Sequence, residues 1–338
     1  MSRIVLGIGT SHSPLLMLSP EMWQVRAQDD LRNRKLTLSD GRVLAYDALL
    51  AETGGVHAGD ATIGTFRTQL DGANRALDRL ADELERARPD VVVIIGDDQD
   101  ELFRLTHMPA IAVYYGAELT MLAKGAQAAE IPEWRRRALV GYKMDAAHAF
   151  PGCPEVALAL IEGLMARDVD VAAASHVEDA GKAGFGHAYG FVVSRLFRGR
   201  SIPIVPVLLN TYFPPNVPSP SRCYAIGQAI GQTLKQMPKD LRIAVVASGG
   251  LSHFVTDAVL DRRVLTALAE GDAATLRALP AAALRSGSSE ILNWVTAAGA
   301  LEGLRNAWME YLPVYRTPAG TGIGLAFTAW HGDQAASR

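Results

Sequence analysis

Three stretches of the chain share one pattern: a short apolar run that stops at glycine and then presents polar side chains. Ala244-Val-Val-Ala-Ser-Gly-Gly-Leu-Ser-His253 stops on two glycines and ends on a histidine. Ile4-Val-Leu-Gly-Ile-Gly-Thr-Ser-His12 also ends on a histidine, and Val91-Val-Val-Ile-Ile-Gly-Asp-Asp-Gln99 ends on three polar residues. Continuous apolar runs of this kind predict strands buried on both faces, as in a parallel sheet. In open α/β sheets the ligand site lies at the carboxyl ends of such strands, so the three runs predict one shared site.

The rest of the chain alternates between the two periodicities. Residues 62–88 carry Phe66, Leu70, Ala73, Leu77, Leu80 and Leu84 at helical spacing, with charged residues on the opposite face. Further strands are expected at 109–115, 169–174 and 202–208, and further helices at 154–166, 222–237, 254–270 and 273–279. Residues 308–315 and 322–330 form a closing strand pair around the turn Thr317-Pro-Ala-Gly320. In 19–60 the pattern is weaker: Glu21–Leu31 suggests a short helix and Asp40-Gly-Arg a turn. Residues 117–150 suggest a surface segment with a solvated Arg135-Arg136-Arg137 cluster. The alternation predicts α/β architecture, a single large domain over 1–338 with a central, mostly parallel or mixed sheet flanked by helices.

Composition narrows the function classes. The 338 residues are 49% hydrophobic, enough for a large core. The net charge of −3, with no basic run, argues against nucleic acid or an anionic membrane as partner. The two cysteines, Cys153 and Cys223, lack metal-type spacing and fit a reducing cytoplasm. The early apolar run is too short for a signal peptide, and the uncharged stretch Ser201–Ser221 holds six prolines, so a soluble cytoplasmic protein is expected.

The candidate chemistry lies at the ends of the runs. His12 is either a site residue or a cap on its strand. Asp97, Asp98, Asp100 and Glu101 put four carboxylates in five residues after a buried strand, which favours a metal or substrate shell over a plain capping loop. His57 lies in Gly54-Gly-Val-His-Ala-Gly, where a solvated loop histidine is the simpler reading. His187 lies in a glycine-rich loop, Gly184-Phe-Gly-His-Ala-Tyr-Gly190, compatible with a ligand approach or a turn. Glu290 falls in a first helical turn with Ser288 as N-cap, where an acid also complements the helix dipole. No Gly-x-Ser-x-Gly elbow is present, and the Ser-Gly-Gly loop lacks the Lys-Ser/Thr ending of a phosphate loop. The residues alone lead to a metal-dependent α/β enzyme with His12 and His253 near the site.

Several segments then carry a resemblance: Gly9-Thr-Ser-His-Ser-Pro14, Asp90-Val-Val-Val-Ile-Ile-Gly-Asp-Asp98, Tyr212-Phe-Pro-Pro215, Arg222-Cys-Tyr-Ala-Ile-Gly227, Ser248-Gly-Gly-Leu-Ser-His253 and Ser286-Gly-Ser-Ser-Glu-Ile-Leu-Asn-Trp294. The chain resembles the class III extradiol ring-cleavage dioxygenases, in particular catalytic β subunits of the protocatechuate 4,5-dioxygenase type and their gallate and methylgallate relatives. The resemblance implies Fe(II) held by two histidines and a glutamate, with open positions for substrate and dioxygen. The first histidine falls on His12 and the glutamate on Glu290. The place of the second histidine is taken by Gln99, a weaker ligand through its carbonyl oxygen, with His57 or an aspartate such as Asp98 as alternatives. His253 matches the acid/base histidine, and His187 a second active-site histidine. The implied reaction opens a catechol-type aromatic acid beside the diol and inserts both atoms of O2. Arg222 or the Tyr212–Pro215 loop could place a substrate carboxylate. The resemblance also implies a homodimer or a partnership with a small α subunit. Two other readings remain open: a different metal-dependent oxidase or hydrolase on the same fold, and a metal-free accessory or binding subunit, which the loss of histidine at position 99 favours.

Overall fold

The computed structural model describes residues 1–125 and 131–332. In chain order, β1 (Arg3–Thr10) leads through a 3-10 turn to α1 (Pro20–Asp30), a small hairpin of β2 (Leu36–Thr37) and β3 (Val43–Leu44), α2 (Tyr46–Thr53) and the long α3 (Ile63–Ala87). β4 (Val91–Asp97), β5 (Ile111–Tyr114), β6 (Glu118–Thr120), α4 (Glu133–Gly141), β7 (Ala149–Pro151), α5 (Pro154–Met165) and β8 (Ala172–Ala174) follow. Next come α6 (His187–Leu196), β9 (Ile204–Leu209), α7 (Pro220–Gln236) and β10 (Arg242–Ser248). The chain continues with α8 (Ala258–Glu270), α9 (Ala273–Arg277), α10 (Ile291–Ala300), β11 (Arg305–Tyr315) and β12 (Gly322–His331).

One eight-stranded mixed sheet runs in the order β11-β12-β1-β10-β4-β9-β5-β8. Its centre is parallel: β1 pairs with β10, β10 with β4 and β4 with β9, while β12 joins β1 antiparallel and β5 joins β9 antiparallel. The three apolar runs are therefore adjacent strands with their carboxyl ends together. Strand alternation divides the core between two faces. Val91, Val93 and Ile95 pack with α5, α7 and α10, whereas Val92 and Ile94 pack with α1, α3 and α6. Burial on both faces explains why these runs are continuously apolar.

Several expected elements differ in detail. The strand expected over 169–174 is only Ala172–Ala174, because Val169 closes the turn after α5 with its N–H on the Leu164 carbonyl. The helix expected from Phe254 starts at Ala258, where the Asp257 carboxylate caps the Val259 and Leu260 N–H groups. The 117–150 segment is not merely surface: its described residues include β6, α4 and β7, and Leu139, Tyr142 and Met144 form a wall of the central cavity. Among the described residues, no helix is long and apolar enough to cross a membrane.

Candidate metal centre

The ends of β1, β10 and β4 supply the floor of the site. Thr10 lies in register with Ser248, and two residues later His12 turns its ring back onto β10. The Ser248 hydroxyl donates to the Ala188 carbonyl at 2.7 Å, so it accepts from His12 Nδ1 at 3.0 Å. A hydroxyl has one hydrogen to give, and this one is already committed. The proton of a neutral His12 therefore sits on Nδ1, and the Nε2 lone pair faces the site.

Glu290 reaches the same point from the opposite helix layer. It ends a 3-10 turn, Ser286–Glu290, and precedes α10. Ser288 does not cap α10: its hydroxyl accepts from the His253 N–H and donates to the His253 carbonyl. α10 is fixed beneath the strand ends by Trp294, whose indole N–H donates to the Gly249 carbonyl at 2.8 Å. Gly9 makes this possible, because a Cβ there would come within 2.2 Å of the Trp294 ring. The Glu290 Oε2 accepts from the Gly250 N–H at 2.5 Å and lies 3.1 Å from His12 Nε2. Despite that approach, His12 Nε2 is buried without a hydrogen bond.

Two further groups complete the cluster. Asp97, the last residue of β4, is fully buried, with Oδ1 accepting from Asn293 Nδ2 at 3.1 Å. His187 opens α6 instead of lying within a loop, and its ring meets His12 edge-on at 4.6 Å. One ligand atom from each of His12, Asp97, His187 and Glu290 lies within 4.8 Å of the other three. A partnerless imidazole nitrogen 3.1 Å from a carboxylate oxygen fits two donors on one ion, each about 2.1 Å from it. The mixed nitrogen and oxygen donors suit a divalent transition metal.

The charges agree with this arrangement. Burial pushes the Glu290 carboxyl up, but His12 and His253 outweigh it and hold the group well below the usual range. Burial and the Glu290 charge push Asp97 up. Two buried acids with such opposed tendencies need positive charge between them to ionise together, and a cation held there would supply it.

The other candidates are placed as follows. Gln99 sits at the cluster, but its amide nitrogen faces the acids, donating to Asp97 Oδ2 at 2.8 Å and to Glu290 Oε1 at 3.2 Å. Turning the amide over presents its carbonyl oxygen to the same place. Asp98 points away and accepts from the N–H groups of Glu101, Leu102 and Phe103, so it caps the following turn. His57 stacks on Tyr315 at 3.7 Å and bonds Asp60, outside the cavity lining. Arg222 is exposed, with its guanidinium on the Asp168 carbonyl. Sequence reasoning passed over Asp97 in favour of Asp98, and the available signal was strand register: Asp97 is the residue paired with Leu209 at the end of β4.

His253 flanks the cluster. Its Nδ1 donates to the Leu251 carbonyl at 2.8 Å, which leaves Nε2 facing Glu290 Oε1 at 3.4 Å. Burial lowers its proton affinity, but Glu290 reverses the sign and raises it. Gly287 gives the ring its space, since a Cβ there would lie 2.0 Å from His253 Cδ2. Ser252 is tied down by the buried Asp261, which accepts from both its N–H and its hydroxyl. The cavity over these groups measures about 360 Å³, within the range of small-molecule sites.

His187 Nδ1 lies 3.2 Å from the buried Glu101, which also receives Lys124. Burial disfavours the imidazolium, but Glu101 lifts it to about 9. Burial also pushes Glu101 up, but His187 and Lys124 bring it down to about 2. A raised histidine stabilises the fold fully below its ordinary value of 6.5 and loses that contribution as pH rises through about 9. The urea midpoint of metal-free protein is therefore expected to fall across that window, and Glu101→Gln to flatten the slope.

Residues 59–326 match the family described as the catalytic LigB subunit of aromatic ring-opening dioxygenase. A 2,3-dihydroxyphenylpropionate/2,3-dihydroxicinnamic acid 1,2-dioxygenase of Comamonas testosteroni is 27% identical over 165 residues, 49% of this chain and 43% of that protein. Its counterpart in Burkholderia vietnamiensis is 35% identical over 115 residues, 34% of this chain and 33% of that protein. A gallate dioxygenase of Pseudomonas putida is 29% identical over 139 residues, 36% of this chain and 38% of that protein. The chain thus spans less than half the length of each of these three relatives. The family match covers most of the chain and takes in β4, β10 and the Glu290 turn, so this chain belongs to the LigB family of aromatic ring-opening dioxygenase catalytic subunits.

Proposed function

We propose that the chain is an Fe(II)-dependent extradiol dioxygenase that opens a catechol-type aromatic acid such as protocatechuate, gallate or a methylated gallate. The observation that carries this reading is the buried, partnerless Nε2 of His12 converging with Asp97, His187 and Glu290 beneath the cavity. The relatives' names support the substrate class, because each acts on a ring with neighbouring hydroxyls. In this reading His12 and Glu290 hold the iron, with Asp97, His187 or the inverted amide of Gln99 completing the set. Bound there, iron would supply the one-electron chemistry that spin-paired organic molecules lack and would accept the diol and dioxygen as further ligands.

The protein residues do the remaining work. His253 Nε2 takes the proton of the hydroxyl presented to it, while the Leu251 carbonyl holds Nδ1–H in place. Leu15, Leu139, Tyr142, Phe254 and Ile323 present flat or apolar surfaces that orient the ring and exclude water. The unpaired cysteines fit a cytoplasmic setting.

One observation favours a second reading, a metal-free accessory subunit. The Gln99 amide already bridges Asp97 and Glu290, as a weak substitute for a cation. Oxygen uptake after anaerobic Fe(II) reconstitution separates the two readings. Uptake with a ring-opened chromophore from protocatechuate or gallate supports the dioxygenase. Absence of both uptake and bound iron overturns it and supports the accessory subunit. Gln99→His is expected to tighten Fe(II) about tenfold or more, read by chelator competition, since imidazole is the better transition-metal ligand.

A further inference from the structure

The cavity has a second, cationic end. Arg316 follows β11 in the turn to β12; it is buried and lines the cavity. Its Nε donates to Asp30 Oδ2 at 2.8 Å, but its Nη2 is buried with no hydrogen-bond partner. Asp30, the last residue of α1, also accepts from Arg26 Nη1 at 2.8 Å and from the Thr321 hydroxyl at 3.0 Å. Arg26 lines the same cavity and lies over Trp134. Two guanidinium groups thus share one buried carboxylate, and the only further acid beside them among the described ion pairs is the more exposed Asp29, 3.9 Å from Arg26 Nη1 and on the Arg26 side alone. The other cations of the lining do not match this arrangement: Lys124 is bound to Glu101, and Arg135 is open to solvent.

A guanidinium presents its N–H groups in a planar fork that matches a carboxylate. A buried N–H with no acceptor is uncommon in a finished fold and is accounted for when a ligand completes it. The acid that fixes Arg316 uses only its Nε edge, so the fork is oriented without being filled.

We propose that Arg316, held by Asp30 and backed by Arg26, is the carboxylate-recognition residue of this cavity. The substrate is then an aromatic diol bearing an acid group, with its carboxylate on the Arg316 guanidinium and its hydroxyls toward His12 and Glu290. This assignment deepens the ring-cleavage reading and rests on it for the diol.

The test uses equilibrium binding of two ligands that lack a diol, 4-hydroxybenzoate and its uncharged analogue 4-hydroxybenzamide, titrated calorimetrically into the protein as purified. A charge-assisted hydrogen bond corresponds to about a tenfold to hundredfold preference for the acid in the unmodified protein. Arg316→Gln is expected to remove that preference and Arg316→Lys to keep part of it, each variant being accepted only if its thermal melt stays cooperative. Equal binding of acid and amide by the unmodified protein overturns the proposal without recourse to a variant. So does a preference that survives in Arg316→Gln, or a failure of both ligands to bind at millimolar concentration. A preference that depends on Arg316 in protein that opens no diol would leave the carboxylate site standing and sink the ring-cleavage reading alone.

Discussion

Glu290→Ala is expected to abolish metal loading and the proposed ring opening together, whereas His253→Ala is expected to keep the metal and turn over slowly. Glu290 is the one acid of the cluster held well below its usual range, and it touches His12, His253, Gln99 and the Gly250 N–H at once. Loss of a group that only orients a ligand costs about 10- to 100-fold in metal affinity, so loss of the anionic ligand itself should exceed that. In the proposed reaction His253 is the proton acceptor, and removing a positioned base costs about 100- to 10,000-fold in rate. Iron content after gel filtration and oxygen uptake on the same samples separate the two. Full uptake by either variant would refute the role given to that residue.

Asp30→Asn is expected to destabilise the fold by about 3–5 kcal/mol, the usual consequence of removing one partner from a buried ionic group. The variant takes from Arg316 its buried carboxylate and leaves Arg26 only the more exposed Asp29 at 3.9 Å. Burial raises the Asp30 carboxyl, but Arg316 and Arg26 outweigh it and hold it below its ordinary value. A lowered acid stabilises the fold above its unfolded value and loses that contribution as pH falls through the folded one. The two proteins should therefore differ most in urea midpoint near neutrality and converge in acid. A midpoint unchanged at neutral pH would mean that the arginines find other partners.

The central sheet was legible because its strands are buried on both faces. Val91–Ile95 and Ala244–Ala247 have no polar face to interrupt them, and a glycine follows within two residues of each apolar run. β11 and β12 were legible for a related reason, a long strand pair on either side of a proline-glycine turn. The cavity wall from 117 to 150 was obscure because its strands are three residues long, too short to show alternation. His12 and His253 stood out because each follows a glycine- or serine-rich strand end, whereas Glu290 alone reads as an acid in a first helical turn and entered only through the resemblance around Trp294. Asp97 did not stand out, since nothing local distinguishes it from Asp98; only register shows which carboxylate turns inward. The Arg26–Asp30–Arg316 group joins side chains 286 residues apart and left no trace in local pattern.

That separation also bears on how the protein is made. His12 meets Ser248 across 236 residues, and Asp97 meets Asn293 across 196. Contacts of such sequence range close late, after the entropy of long loops has been overcome. The nascent chain therefore has no metal cluster to offer, and an ion cannot nucleate this fold as it does in a zinc finger. A metal bound as proposed would arrive at a finished site and act by mass action on the native state alone. The expected kinetic signature is slower unfolding of the loaded protein at an unchanged folding rate.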